Sequence, residues 1–299
     1  MLKHRLITGL SIAAGFLIIL LLLPAWTHVV LLYAIFLFAH FEFYGMIKYY
    51  GYRYEVFITT ICGVIFLTLI TIESPMFTSQ CQIFKINGNI DLSTIIMCFT
   101  PAVLLAAGVF RRKIDKAIEA FAFSLAGFWY VAVFLSFIAK IAFEWTAFDN
   151  GSINYTGRLM ILVFIALVKL SDVGAYTVGM AIGKHRLIPK ISPLKSVEGL
   201  FGGYLFSIAT GIIIWALASR FGNGCLGDVR FSIVHAIALP ILLTTTSVIG
   251  DLSESLMKRA VNIKNSSGLF PGMGGILDVL DSLFFSAPFM YIYMLLYLK

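Results

Sequence analysis

Nine long runs of apolar residues follow one another along the chain, separated by short polar segments. Each run is about as long as the roughly 20 residues that a helix needs to cross the hydrocarbon core of a bilayer. The pattern therefore predicts nine transmembrane helices, at 6–23, 27–46, 56–72, 94–110, 120–143, 159–181, 201–219, 231–250 and 282–298.

The composition agrees with this pattern and excludes an ordinary soluble domain. Hydrophobic residues make up 60% of the 299 positions and charged residues only 12%, far from the balance of a soluble protein. No long linker, repeat or low-complexity tract divides the chain. We therefore predict an all-α, polytopic integral membrane protein that forms a single domain over residues 1–299.

The positions of the basic residues predict the orientation. If the N-terminus is cytoplasmic, 15 of the 22 Lys and Arg residues fall in cytoplasmic segments, as is typical of membrane proteins. The net charge of +7 then reflects this bias and an affinity for anionic lipid headgroups. It gives no reason to expect a nucleic-acid partner.

The segment 169–203 is the first of two that carry candidate chemistry. The predicted span at 159–181 carries Lys169, Ser171 and Asp172 toward its end, and the loop that follows is basic and contains two prolines. Lysine and arginine in such a loop suit the binding of phosphate oxygens. The simpler alternative is that these cations only set the orientation. Lys195 and Glu198 fit that alternative poorly, because serine and three glycines surround them.

The segment 250–282 is the second, and it is denser in charge. If the eighth span continues as a helix, one polar stripe forms along it, made of Asp251, Glu254, Ser255, Lys258 and Arg259. A glycine-rich turn follows Lys264, and a new helix starting near Gly275 places Asp278 and Asp281 on one face.

These aspartates suit a magnesium site. Mg²⁺ binds through a few carboxylates and leaves other positions to water and substrate phosphates. We predict Asp251, Asp278 and Asp281 as its ligands. The alternative is a set of structural ion pairs, Asp251 or Glu254 with Lys258 and Asp281 with Arg259.

Both segments resemble motifs of the bacterial phosphatidate cytidylyltransferases, the CDP-diacylglycerol synthases. The family's C-terminal motif is matched without a gap at Ser255, Lys258, Arg259, Lys264, Pro271, Gly272, Gly274, Gly275, Asp278 and Asp281. The upstream stretch is similar at Ser171, Asp172, Ala175, Tyr176, Gly183, Lys184, His185, Ile191, Ser192, Pro193, Lys195, Glu198 and Gly199.

Three positions depart from the family's pattern. Asn265 stands where the family usually has Asp, Met273 where it has His, and Val279 where it has Arg. None of the three replaces a predicted metal carboxylate, so the metal ligands remain. We therefore expect no imidazole proton shuttle at position 273 and one phosphate contact fewer, with activity retained.

The resemblance implies a reaction in which CTP and phosphatidic acid give CDP-diacylglycerol and pyrophosphate. The attacking phosphate is already anionic, so positioning and charge neutralisation can carry most of the catalysis. The implied catalytic residues are Asp251, Asp278, Asp281, Lys258 and Arg259. The implied substrate-binding residues are Ser171, Asp172, Lys195, Glu198, Glu254, Ser255 and Lys264.

The resemblance also implies a setting for the reaction. We expect a site at the cytoplasmic face of the inner membrane, with acyl chains entering from the bilayer lipid between late spans. A second, monovalent cation beside Mg²⁺ and a homodimer both stay open. So do two other functions: a CTP-dependent polyprenol kinase, which would transfer a terminal phosphoryl group, and a cation-coupled secondary transporter.

Overall fold

The computed structural model describes residues 2–48, 53–75, 85–86, 90–110, 116–145, 148–149, 152–153 and 155–298. Arg111, Arg112, Lys113 and Lys299, four of the cations used to predict the orientation, lie outside these residues. The helices are α1 Leu2–Leu22, α2 Ala25–Met46, α3 Arg53–Glu73, α4 Leu92–Phe110, α5 Ala117–Gly127, α6 Phe134–Glu144, α7 Thr156–Ile182, α8 Val197–Phe221, α9 Ile233–Ala260 and α10 Ile276–Tyr297.

Within the described residues, the helices confirm the predicted all-α membrane architecture. A π-helical turn, Phe128–Val133, joins α5 and α6 into one continuous span, Ala117–Glu144, so nine helices cover the nine predicted runs. Eight of them are long and apolar enough to cross a membrane. The described, apolar part of α1, Thr8–Leu22, is shorter.

The two ends that matter most for the site also agree with the sequence. Helix α9 continues past the apolar run to Ala260, which carries the polar stripe on a helix as predicted. Helix α10 begins at Ile276, directly after Gly275. Asp278 and Asp281 therefore lie three residues apart in its first two turns.

Four two-stranded hairpins lie between helices in the described residues. Their strands are β1 Lys85–Ile86, β2 Ile90–Asp91, β3 Phe148–Asp149, β4 Ser152–Ile153, β5 Arg186–Ile188, β6 Ser192–Ser196, β7 Cys225–Leu226 and β8 Val229–Arg230. The basic loop of the sequence forms the β5–β6 hairpin, in which Arg186 pairs with Ser196.

The chain forms two compact units. Unit 1 contains Met1–Phe148 and Asn265–Val279, and unit 2 contains Asp149–Lys264 and Leu280–Lys299. In unit 1, Phe36, Leu67 and Phe128 are fully buried. The prediction of a single domain over residues 1–299 stays a prediction.

Unit 2 is built on close packing of α7 against α8. A Cβ added at Gly174 would lie 2.6 Å from the carbonyl oxygen of Gly202, and one at Gly199 would lie 2.7 Å from that of Ala175. Small residues let the two backbones approach closely, as is common for helices within membranes. This packing fixes the second half of α7, which begins near Asp172, against the start of α8, which follows β6.

Candidate active site

Helices α7 and α10 bring a small polar cluster together in unit 2. The amino group of Lys169 lies 3.0 Å from the hydroxyl of Ser282 and 3.6 Å from Oδ2 of Asp172. The Ser282 hydroxyl also donates to Oδ2 of Asp172, at 3.3 Å. Lys169 and Asp172 are 36% and 41% exposed, so a substrate within unit 2 could reach both.

The β5–β6 hairpin adds a second cation to this region. Lys195, in β6, places its Nζ 2.8 Å from Oδ2 of Asp251 in α9. Ser255, one turn further along α9, donates to the other carboxylate oxygen of Asp251 at 3.4 Å. The side chains of Lys195 and Asp251 are 24% and 35% exposed, but the amino nitrogen of Lys195 is itself buried.

Asp281 and Glu254 are the buried acids of the cluster. Asp281 is 8% exposed, and the carboxylates of Asp251, Glu254 and Asp172 lie close enough to repel it, while Lys169 attracts it. Glu254 is fully buried and forms an ion pair with Lys258, one turn later in α9. One ion pair of the structural alternative is therefore present.

Asp251, the other acid considered for Lys258, pairs with Lys195 instead. For the second pair of that alternative, Asp281 with Arg259, the guanidinium of Arg259 donates to the carbonyl oxygen of Ile263 at 3.1 Å. Arg259 and Lys264 are exposed. Lys258 is buried with its partner, so its proposed contact with a phosphate stays a prediction.

The cluster suits a hard divalent cation. Among the described residues, no three His, Cys, Asp or Glu side chains are arranged to hold a metal by themselves. Mg²⁺ does not need three, because it binds through one or two carboxylates and completes its shell with water and substrate oxygens. Asp281 lies among three other acids, and a bound cation would relieve their repulsion. Asp251 and Asp281 therefore fit the ion.

Glu198 organises the base of the hairpin. Its carboxylate accepts hydrogen bonds from the backbone N–H groups of Lys184 and His185, and Oε1 lies 2.6 Å from Nδ1 of His185. Ser196 caps α8 by accepting from the N–H of Gly199 at 3.1 Å. Glu198 thus orients the hairpin that carries Lys195, and its direct contact with substrate stays a prediction.

Ser171 forms a hydrogen bond within its own helix. Its side chain is buried, and its hydroxyl donates to the carbonyl oxygen of Val168 at 2.7 Å. This is a bond within α7 that leaves the neighbouring Asp172 on the accessible side. A role for Ser171 in binding cytidine stays a prediction.

Unit 1 contains the third predicted metal ligand, Asp278, in the first turn of α10. The preceding loop supplies hydrogen bonds to its carboxylate. Oδ2 of Asp278 accepts from the N–H and the hydroxyl of Ser266 and from the N–H of Gly275, each at 2.8 Å. Neutral donors of this kind stabilise the charged form of a carboxylate. These bonds fix the position of the Asp278 carboxylate in unit 1, whereas Asp251 and Asp281 belong to unit 2.

Backbone conformation and close packing explain three glycines of the loop. Gly272 and Gly274 have φ of +80° and +101°, values that side chains disfavour. A Cβ at Gly274 would collide with Oδ2 of Asp278. A Cβ at Gly275 would collide with the hydroxyl of Ser266 and with the carboxylate of Glu42.

The comparisons with known proteins agree with these motifs. The model of the cytidylyltransferase family matches residues 3–297. The chain belongs to this family.

Curated members of the cytidylyltransferase family resemble the chain over nearly its whole length. It is 31% identical over 295 residues to a phosphatidate cytidylyltransferase of Haemophilus influenzae, covering 97% of each chain. It is 28% identical over 302 residues to that of Bacillus subtilis, covering 99% of this chain and 98% of the relative. A Staphylococcus epidermidis relative of the same name is 31% identical over 223 residues, 74% of each chain.

The departure at position 273 has a structural counterpart. Sδ of Met273 would lie 3.7 Å from a Cβ added at Gly9, so this side chain packs against α1 within unit 1. An apolar thioether suits that contact. The expectation that no side chain at this position shuttles protons is consistent with the packing.

Sequence reasoning missed several polar residues around the site. Lys169 was noted at the end of its span but given no role, and Ser266, Ser282 and Glu42 were not singled out. Glu42 carried a signal, since it is a lone carboxylate inside an apolar run, and such residues are costly to place in a membrane without a function. The sequence around the two serines offers no comparable signal.

Proposed function

We propose that the protein is a phosphatidate cytidylyltransferase, which converts CTP and phosphatidic acid to CDP-diacylglycerol and pyrophosphate. The observation that carries this proposal is the convergence of Asp172, Asp251 and Asp281 with Lys169 and Lys195 from α7, β6, α9 and α10. Carboxylates for a metal and cations for phosphates are what nucleotidyl transfer requires.

The reaction needs positioning more than proton transfer. A phosphate oxygen of phosphatidic acid attacks the α-phosphorus of CTP, a new P–O bond forms, and the bond to the bridging oxygen of the β-phosphate breaks. Mg²⁺, when bound, would neutralise charge on the triphosphate and on the departing pyrophosphate. Asp251 and Asp281 are proposed to hold the ion, and Asp278 to complete its protein ligands.

The lysines are proposed to bind the phosphates. Lys195 neutralises Asp251 before substrate arrives, and its buried amino group can donate to a phosphate oxygen that enters the site. Lys169, held by Ser282 and Asp172, supplies a second donor. Both are point charges on flexible stems, which suits a triphosphate whose charge shifts during the reaction.

An apolar groove on α9 and α10 is proposed to receive an acyl chain. Ala238, Ile241, Leu242, Thr245, Thr246, Ile249, Phe285 and Phe289 line it, and its volume is about 700 Å³. Phe285 lies one turn after Asp281, on the same face of α10. The groove therefore ends near the Asp281 carboxylate within unit 2, where we place the lipid phosphate.

A label-transfer experiment tests the reaction class. Purified protein in detergent with phosphatidic acid is given CTP labelled at the α-phosphate or at the γ-phosphate, with and without Mg²⁺. The proposal predicts label in the extracted lipid only from the α-position and only with Mg²⁺. Absence of labelled lipid would reject the proposal. In a parallel reaction with a polyprenol in place of phosphatidic acid, lipid labelled from the γ-position would indicate a kinase instead.

The setting is proposed from the charge pattern. We place the site at the cytoplasmic face of the inner membrane, which predicts that a cysteine introduced at Lys190 is labelled in inverted vesicles but not in intact cells. A second, monovalent cation beside Mg²⁺ and a homodimer stay open, and the lack of a nucleic-acid partner stays a prediction. Titration of K⁺ at saturating Mg²⁺ tests the first of them.

A further inference from the structure

Glu42 is a carboxylate in the apolar helix α2 that accepts four hydrogen bonds from one segment of unit 1. Oε1 accepts from the hydroxyl of Ser267 at 2.6 Å and from the N–H of Ile276 at 2.9 Å. Oε2 accepts from the hydroxyl of Ser266 at 3.0 Å and from the N–H of Leu277 at 2.9 Å. A charge within an apolar helix is costly to place, and these donors compensate for it.

The contacts make Glu42 the N-terminal cap of α10. The first N–H groups of any helix lack partners within it, and a negative charge there interacts favourably with the helix dipole. The residue before α10 is Gly275, which has no side chain to act as a cap. Glu42 supplies the cap from another helix, and Gly275 leaves the space for it.

The same contacts connect Glu42 to Asp278. The hydroxyl of Ser266 lies 3.0 Å from Oε2 of Glu42 and 2.8 Å from Oδ2 of Asp278, so one serine bridges the two carboxylates. The N–H of Gly275 donates to Asp278, and the next two N–H groups donate to Glu42. Glu42 therefore fixes both the loop and the helix turn that orient Asp278.

We propose that Glu42 is a positioning residue, which sets the geometry of Asp278 for metal binding. This rests on the proposed function, in which Asp278 is a metal ligand. Residues that orient metal ligands affect metal affinity or activity by about 10- to 100-fold when they are replaced. Replacement of Glu42 should therefore weaken metal binding and leave the protein folded.

A purely structural role is the alternative, and the chain offers a matched control for it. Glu73, at the end of α3 in the same unit, accepts from the N–H and the hydroxyl of Ser93 at 2.9 and 2.6 Å. It caps α4 from another helix, as Glu42 caps α10, but no predicted metal ligand lies in the segment it holds. A structural effect should appear equally in both variants.

The experiment uses the full chain in detergent and Mn²⁺ as a spectroscopic probe. Mn²⁺ binding is measured by electron paramagnetic resonance for wild type, Glu42→Gln, Glu42→Asp and Glu73→Gln, together with Tm and the Mg²⁺ dependence of CDP-lipid formation. Glu42→Gln should weaken Mn²⁺ binding and raise the Mg²⁺ needed for half-maximal activity, each by about 10- to 100-fold. Glu42→Asp should recover part of the loss, and Glu73→Gln should lower Tm alone.

Wild-type Mn²⁺ affinity in folded Glu42→Gln would overturn the proposal, as would an equal loss in Glu73→Gln. If Glu42→Gln does not fold, Ser266→Ala removes the bridge and keeps the cap of α10, and its unchanged Mn²⁺ affinity would also overturn it. If the wild type makes no CDP-lipid while Glu42→Gln weakens Mn²⁺ binding, the proposed function fails and the positioning role stands.

Discussion

Asp278 and Asp251, two predicted ligands of one ion, are held in opposite ways in the two units. In unit 1, backbone N–H groups and a serine hydroxyl hold Asp278. In unit 2, the ammonium group of Lys195 holds Asp251. Neutral donors fix the position of the Asp278 carboxylate, whereas Lys195 compensates the charge of Asp251 and can move.

The two carboxylates therefore depend on different features of their own units. A rigid anion in unit 1 requires glycines, a serine bridge and a cap from another helix, all of which depend on backbone geometry. A neutralised anion in unit 2 requires a mobile cation that can transfer its hydrogen bonds to a phosphate. Backbone changes should therefore damage unit 1 most, and charge changes should damage unit 2.

The largest expected effect is that of Asp278→Asn. The amide keeps the size of the side chain but loses the charge that binds Mg²⁺, and several kilocalories per mole of transition-state stabilisation correspond to about a 1,000-fold loss of kcat. Turnover with saturating Mg²⁺ measures it, with Asp228→Asn in the exposed β7–β8 turn as control. Full activity in a folded Asp278→Asn protein would remove this assignment.

The second-largest effect is expected from Gly275→Ala, which should lower activity by about 100-fold. The added Cβ collides with Glu42 and Ser266 and displaces the turn that holds Asp278, and a shift of about 1 Å at a reacting centre can have an effect of this size. The control is Gly268→Ala in the same loop, where a Cβ meets nothing within 4 Å. Similar activity in the two variants would refute the need for a rigid loop.

Lys195→Met should lower kcat/KM for CTP by about tenfold. Hydrogen bonds to charged groups contribute about 1.5–3 kcal/mol, and partial exposure to solvent places this one at the lower end. Steady-state kinetics at varied CTP measure the loss, with the exposed Lys190→Met at the tip of the hairpin as control. A loss confined to the KM for phosphatidic acid would reassign Lys195 to the lipid.

The smallest effect is expected from Ile249→Trp in the apolar groove. The larger side chain should raise the KM for phosphatidic acid by about three- to tenfold, because overpacking an apolar site costs about 1 kcal/mol, while the KM for CTP stays unchanged. Ile213→Trp, exposed on α8, is the control. Equal KM values in both variants would show that acyl chains bind elsewhere.

The helices could be predicted from the sequence because each apolar run must form its own backbone hydrogen bonds within a bilayer. The extension of α9 was predicted from the spacing of Asp251, Glu254 and Lys258, and the start of α10 from the glycine-rich turn. Both features are local. They depend on periodicity and on turn residues within a few positions of one another.

The partners of these residues could not be predicted, because they come from distant parts of the chain. Lys195 lies 56 positions before Asp251, and Glu42 lies more than 200 positions before α10, the helix that it caps. A lone acid or lysine carries no information about which helix it will meet. The β5–β6 hairpin was similarly read only as a stiff basic loop.

A Mn²⁺-binding double-mutant cycle with Asp251→Asn, Asp278→Asn and the combined variant tests the central claim most directly, because residues that serve one ion should not act additively. The account predicts that either single substitution abolishes tight Mn²⁺ binding and that the double variant loses little further affinity. Two independent, additive losses in affinity, or one variant that binds Mn²⁺ as tightly as wild type, would contradict it.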